Sequence, residues 1–216
     1  MKELFLKDIL QLSKEELEIA KIALNMSHGG VSHFNRWNES VSSNRDVSYS
    51  YYSHYGKSRN FTKIGQLVFG FVQLPSNNKK WLLVTVGKII EIAYKNVCKY
   101  EEDIRFEGLI GRLIVEIDKG NTYSRYVFNL RKYYENIKVI EILPNEYQAI
   151  SFEGLDNVHL SFHDLNLILK GEKYADYRNA LISVKGVYCL TDANTGKLYI
   201  GSAYGEKGLA QRWVTI

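Results

Sequence analysis

Cysteine is scarce in this chain: its two cysteines, Cys98 and Cys189, stand far apart and show none of the paired spacings of a metal site. Neither a disulfide framework nor a zinc site is expected, and this usage fits a reducing cytoplasm. No stretch approaches the ~20 apolar residues that a membrane helix needs, so no membrane association is expected. Met1-Lys2-Glu3-Leu4-Phe5 lacks the long apolar run of a secretory signal. Internal repeats and low-complexity segments are also missing. Neither sign of charge dominates: 28 basic against 24 acidic residues leave a formal +4, which permits nucleic-acid binding without demanding it.

What is plentiful is tyrosine, 16 of 216 residues, several of them between Tyr49 and Tyr55. Half-buried β surfaces and nucleic-acid stacking platforms both use tyrosine this way, so the excess does not choose between them. With 45% hydrophobic residues, the length suits one large domain or a medium one plus a small one.

Ser13 followed three positions later by Glu16 is a capping box, and Leu17, Ala20, Ile22 and Leu24 extend it as an apolar stripe, predicting a helix that ends near Asn25. From Met26 to Asn60 the periodicity vanishes and no regular structure is expected, a length that is uncommon in a compact domain unless the segment is functional or disordered. Leu67–Leu74 and Trp81–Val86 then read as a β-hairpin closed by Pro75-Ser76-Asn77-Asn78, with Gly70 and Gly87 marking bulges or bends. Leu109–Ile117 is a third strand and Lys138–Leu143, before Pro144, a fourth. One helix followed by several such strands suggests an α+β domain built on a small curved sheet or barrel. Ser161 and Asp164 cap a helix with the stripe Phe162, Leu165, Ile168 and Leu169, stopped by Gly171, and a short helix from Tyr174 to Leu181 follows. A domain boundary is expected between Gly171 and Ser183, dividing the chain into 1–175 and 176–216.

Within the irregular segment, cations alternate with aromatics at Arg36, Trp37, Arg45, Tyr51, Tyr52, His54, Tyr55, Lys57 and Arg59. Cations contact phosphates and aromatics stack on exposed bases, so these residues are a candidate nucleic-acid patch. The competing reading packs the aromatics over the sheet and leaves the cations solvated. His159 and His163 lie four apart but straddle the helix start at Ser161, with no third ligand near, and are read as structural or solvent-facing.

The last stretch is the most informative. Val184–Thr191 and Lys197–Ser202 are two short strands joined by Asp192-Ala193-Asn194-Thr195-Gly196, the residues a tight turn requires. A glycine-rich loop then opens a helix at Leu209-Ala210-Gln211-Arg212-Trp213. Gly186-Val187-Tyr188, ten residues, Tyr199-Ile200-Gly201, Ser202-Ala203 and the Arg212-Trp213 pair together resemble the GIY-YIG nuclease family. The resemblance covers only about the last thirty residues and implies a restriction-type or other site-directed DNA endonuclease, with residues 176–216 as a partial nuclease domain. Double-stranded DNA is the implied partner, and residues 1–175 are expected to supply target recognition.

Phosphodiester hydrolysis needs a group to align water, a cation to stabilise charge on the phosphate oxygens, and usually a metal ion. The resemblance gives the first role to Tyr188, with Tyr199 aligning water or phosphate beside it. A free phenol has a pKa of about 10, so a basic role requires a nearby metal or cation. Arg212 suits the phosphate, because a guanidinium stays charged and offers a fork of donors. Gly186 and Gly201 would let backbone approach closely.

The family's metal ligand is a glutamate on a later helix, and a His or Tyr often follows the arginine by one turn, where this chain has Ile216. The expectation is a fragment of a longer nuclease: Mg2+ or a similar divalent cation serves the full-length protein, whereas the 216 residues alone bind none and do not cleave. The alternative is a non-catalytic nucleic-acid-binding module, comparable in architecture alone to PUA-like barrels, carrying a vestigial nuclease hairpin.

Overall fold

The computed structural model describes residues 3–26, 32–39, 63–92, 98–118, 127–170 and 172–213. They form mixed α and β structure with a mostly sheet core, divided into two compact units that meet in sequence at Tyr147 and Gln148. Among the described residues no helix is long and apolar enough to cross a membrane.

The first unit opens with two short helices, α1 (Leu6–Leu10) and α2 (Lys14–Ile19). The capping box forms as expected: the Glu16 N–H donates to Ser13 Oγ at 3.2 Å, and the Ser13 N–H donates to a Glu16 carboxylate oxygen at 3.0 Å. The helix does not continue to Asn25. Lys21–Asn25 is instead a strand, β1, whose Ile22 and Leu24 enter one apolar cluster while Ala23 enters another. That is the two-residue alternation of a strand buried on both faces. The region from Met26 to Asn60, expected to lack regular structure, contains a third helix, α3 (His33–Glu39).

The hairpin is formed by β2 (Leu67–Gln73) and β3 (Lys80–Ile92). Their register slips between Gly70 and Phe71, so that Gly70 faces Thr85 and Phe71 faces Leu83. This bulge changes the phase of β3. Trp81 and Leu83 before it and Val86 after it all reach the cluster that holds Leu67, Phe69 and Phe71. An extra residue in one strand is what carries an odd and an even position onto the same face. Gly87 carries no such irregularity and pairs with both Val68 and Glu102.

One edge of β3 belongs to β2; the other is shared. Its first residues pair with β5 (Leu113–Glu116) and its last with β4 (Cys98–Glu102). Between these partners runs a 3-10 segment, Ile104–Leu109, and then Gly111, whose φ of +72° lets its N–H reach Leu83 O at 2.7 Å. The strand expected over 109–117 is therefore confined to Leu113–Glu116, because a left-handed residue ends the extended run. β7 (Lys138–Ile142) pairs with β5, and β6 (Val127–Asn129) with β1, giving the order β6-β1-β2-β3-β5-β7 with β4 beside β3. Among the described strands only β1 and β2 run parallel. At the far edge Phe5 bridges Lys138.

An apolar cluster lies on each face of the sheet's central strands. Trp81, fully buried, anchors one side and donates its indole N–H to Ile117 O at 3.1 Å, so its polar atom is satisfied. On the other side Phe34 and Trp37 of α3 pack with Val68, Val72, Leu82 and Ile114.

The second unit contains α4 (Phe162–Lys170), α5 (Ala175–Ser183), the hairpin β8 (Gly186–Thr191) and β9 (Leu198–Ala203), and α6 (Gly208–Trp213). Leu165 and Ile168 of α4, Tyr177 and Leu181 of α5, and Ala210 of α6 share one apolar cluster with Tyr174. The cap is formed by Ser161, whose Oγ accepts the Asp164 N–H at 3.1 Å, while Phe162 of the expected stripe is exposed. Because α4 and α5 share their core with the terminal helix, the division lies at 147/148 rather than at the expected 175/176.

Candidate functional site

The terminal hairpin is set by its turn. Asp192 accepts the Asn194 N–H at 2.8 Å and the Thr195 hydroxyl at 2.7 Å, and its backbone exchanges bonds with Gly196 and Lys197. The Thr195 hydroxyl, then the Asn194 and Thr195 N–H groups, hold the Asp192 carboxyl below its ordinary pKa. Gly196 takes a φ of +68°, the left-handed position that a tight turn assigns to glycine.

With the turn fixed, the register follows: Tyr188 lies opposite Gly201 and Leu190 opposite Tyr199. Tyr188, Tyr199 and Gly201 therefore share one face of the two-stranded sheet. The Tyr188 ring lies across Gly201 so closely that a Cβ at 201 would overlap its Cζ and Oη and sit 2.9 Å from Cε2. Gly201 is thus required by the tyrosine above it. Gly186, also expected to permit close approach, meets no atom of the described residues within 4 Å, so none of them demands a glycine there. The Tyr188 and Tyr199 rings are 6.5 Å apart between centroids at 46°, with Tyr188 half-buried and Tyr199 61% exposed.

Arg212 comes from α6, which at six residues is too short to persist without packing. Its first residue, Gly208, has a φ of +49°, and a Cβ there would meet the carbonyl oxygens of Val184, Ile182 at 2.6 Å and Leu181 at 2.9 Å. The Leu209 N–H donates to Val184 O at 3.0 Å. The helix is thereby seated against the backbone where α5 gives way to β8. At its other end Trp213 meets the Tyr188 ring edge to face, with centroids 5.8 Å apart at 83°. Arg212 is exposed on the position just before that contact.

The hairpin and α6 thus bring together two phenols and an indole, with a guanidinium on the adjoining residue. Phenol hydroxyls can donate to or accept from a phosphate or a water, and the guanidinium can grip two phosphate oxygens. Among the described residues no three His, Cys, Asp or Glu side chains are grouped as a metal would need. The close packing at Gly208 and the Tyr188 contact of Trp213 went unremarked in the sequence. A glycine placed just where a helix starts, instead of a capping side chain, was the available signal for the first.

The candidate nucleic-acid patch divides. Arg45, Tyr51, Tyr52, His54, Tyr55, Lys57 and Arg59 lie outside the described residues. Arg36 is exposed on α3. Trp37 is only 8% exposed and packs in the apolar cluster under α3, with the Phe34 ring 5.9 Å away, so its ring serves the core and is not open for stacking on a base. Burial, and then the charge of Arg36, push the His33 imidazolium below its ordinary pKa. His159 precedes α4 and His163 lies within it, both exposed.

Comparison of the chain with protein-family models, with curated proteins and with solved structures returned no match.

Proposed function

We propose that β8, β9 and α6 form the tyrosine and arginine side of a GIY-YIG-type site for phosphodiester hydrolysis in DNA, with the preceding residues serving target recognition. The observation that carries this reading is the seating of Tyr188 over Gly201, beside Tyr199 and against the helix that bears Arg212. Those are the residues that the two triplets and the downstream arginine of the motif single out.

In this reading Tyr188 and Tyr199 orient water and a phosphate oxygen on the open side of the hairpin. Arg212 offers its forked donors to the phosphate, whose charge grows as the phosphorus is attacked. The described residues assemble no ligand set for the divalent cation expected of the family.

Binding of a fluorescent duplex oligonucleotide by the 216-residue chain tests the reading. Arg212→Ala should weaken binding and lower the salt slope by about one phosphate contact, while Tyr188→Phe, which removes only a hydroxyl, should leave affinity within about threefold. Equal affinity of the wild type and Arg212→Ala would sink it.

A second reading, a PUA-like nucleic-acid-binding module, is favoured by the sheet of the first unit, whose register slips in three of its strand pairs. It places binding in that unit, so affinity would survive changes at Arg212.

A further inference from the structure

Tyr188 is held by contacts on two sides. Below it lies Gly201, where the missing side chain leaves room for the ring. Beside it stands Trp213, whose plane is almost perpendicular to the phenol at 83°. An edge-to-face pair at this separation is favourable beyond the area it buries. It also limits how the phenol can tilt, since the ring cannot leave Gly201 without losing the indole.

The indole N–H is buried and has no hydrogen-bond partner among the described residues. A buried orphan donor carries a desolvation cost. A residue chosen only to fill apolar space would avoid that cost by being phenylalanine or leucine. The ring's other contacts explain its placement: it packs at the margin of the cluster formed by α4, α5 and α6, and so joins that cluster to the tyrosine.

We infer that Trp213 is a positioning residue, a wedge that fixes the Tyr188 phenol over Gly201 and ties its location to that of Arg212, one residue earlier on the same helix. α6 is pinned at its start by Gly208 against the carbonyls of Leu181, Ile182 and Val184, and at its end by the indole against Tyr188. A helix pinned at both ends sets the spacing between its arginine and the tyrosine without needing length. The geometric part of this inference stands on the contacts alone; its significance for hydrolysis rests on the function proposed above.

The test uses the 216-residue chain with 3-fluorotyrosine at position 188, read by fluorine NMR in the Trp213→Phe, Trp213→Leu and Trp213→Ala variants. Trp213→Phe keeps an aromatic edge and removes the orphan N–H, so the fluorine shift and line width should stay close to wild type. Trp213→Leu keeps apolar bulk without an aromatic edge, so the shift should move toward that of free fluorotyrosine and the line should sharpen as the ring gains freedom. If Trp213→Ala does not fold, the phenylalanine and leucine variants decide by themselves. Identical fluorine signals in those two would overturn the inference, since a merely space-filling residue predicts that result. Duplex binding is measured on the same samples. A freed Tyr188 in Trp213→Leu, with wild-type chain that does not bind duplex, supports the positioning role and overturns the nuclease reading. An unchanged Tyr188 in a chain that binds duplex through Arg212 does the reverse.

Discussion

The ring of Tyr188 occupies the volume that a side chain at Gly201 would need, across the two strands of the terminal hairpin. The relationship predicts a specific coupling. Gly201→Ala alone should destabilise the second unit by about 1–3 kcal/mol, the usual cost of overpacking. In a chain that already carries Tyr188→Ala the same substitution should cost at least about 1 kcal/mol less, because the clashing ring is gone. A urea-denaturation cycle over the four proteins measures the difference, and simple additivity would show that the two residues do not meet.

Gly208 and Gly65 make a second, controlled comparison. Both have positive φ, +49° and +88°, but a Cβ at 65 meets none of the described residues within 4 Å whereas one at 208 runs into three carbonyl oxygens. Gly65→Ala should therefore cost only the conformational penalty of about 1–2 kcal/mol. Gly208→Ala should cost more, and it should also release α6, seen as lost near-UV circular dichroism from Trp213. Equal losses at the two positions would mean that close packing at Gly208 is not what seats the helix.

What could be read in advance was local. The Ser13–Glu16 box, the Ser161 cap and the Asp192–Gly196 turn each place a side chain within three or four residues of its partner, and all three form. The β2–β3 hairpin was legible for the same reason, down to the irregularity at Gly70. β1 was not, because Lys21–Asn25 becomes a strand through pairing with Leu67–Gln73, distant in sequence, and its apolar residues also satisfied a helical stripe. Likewise the aromatics of α3 look the same in sequence whether they face a base or a sheet, and only packing buried Trp37. At the site, the motif residues were visible as a pattern, but the fit of Tyr188 on Gly201 and Trp213 depends on the register of one strand and the seating of a helix. Neither is encoded at any single position.

Arg105 provides a pH prediction. Its guanidinium donates to Glu16 at 2.6 Å and to both oxygens of Asp103, and these hydrogen bonds are the leading reason that both carboxyls titrate below their ordinary values. A carboxyl whose pKa is depressed by folding adds stability above its unfolded pKa, and that stability is lost as pH falls through the folded value. The first unit should therefore weaken below pH 4.5 for Glu16 and below 3.8 for Asp103. Because Arg105 is half exposed, salt should reduce the effect. In urea titrations at pH 7 and pH 3, Arg105→Gln should show a smaller loss between the two than wild type; parallel losses would count against the clamp.

The neighbours Arg36 and Trp37 should separate completely when each is replaced. Trp37 is 8% exposed and meets Phe34 in the cluster over Val68 and Leu82, so Trp37→Ala removes a large buried ring and should cost about 3–5 kcal/mol of stability. Arg36 is exposed on the same helix, and Arg36→Ala should leave stability within about 0.5 kcal/mol. If α3 borders a nucleic-acid surface, Arg36→Ala should instead weaken duplex binding and lower its salt slope by about 1, as the loss of one phosphate contact does. Binding lost only in Trp37→Ala, in step with unfolding, would show that the helix serves the sheet and contributes no contact of its own. The pair of substitutions thus distinguishes a recognition element from a structural cover, using two residues that are adjacent in sequence.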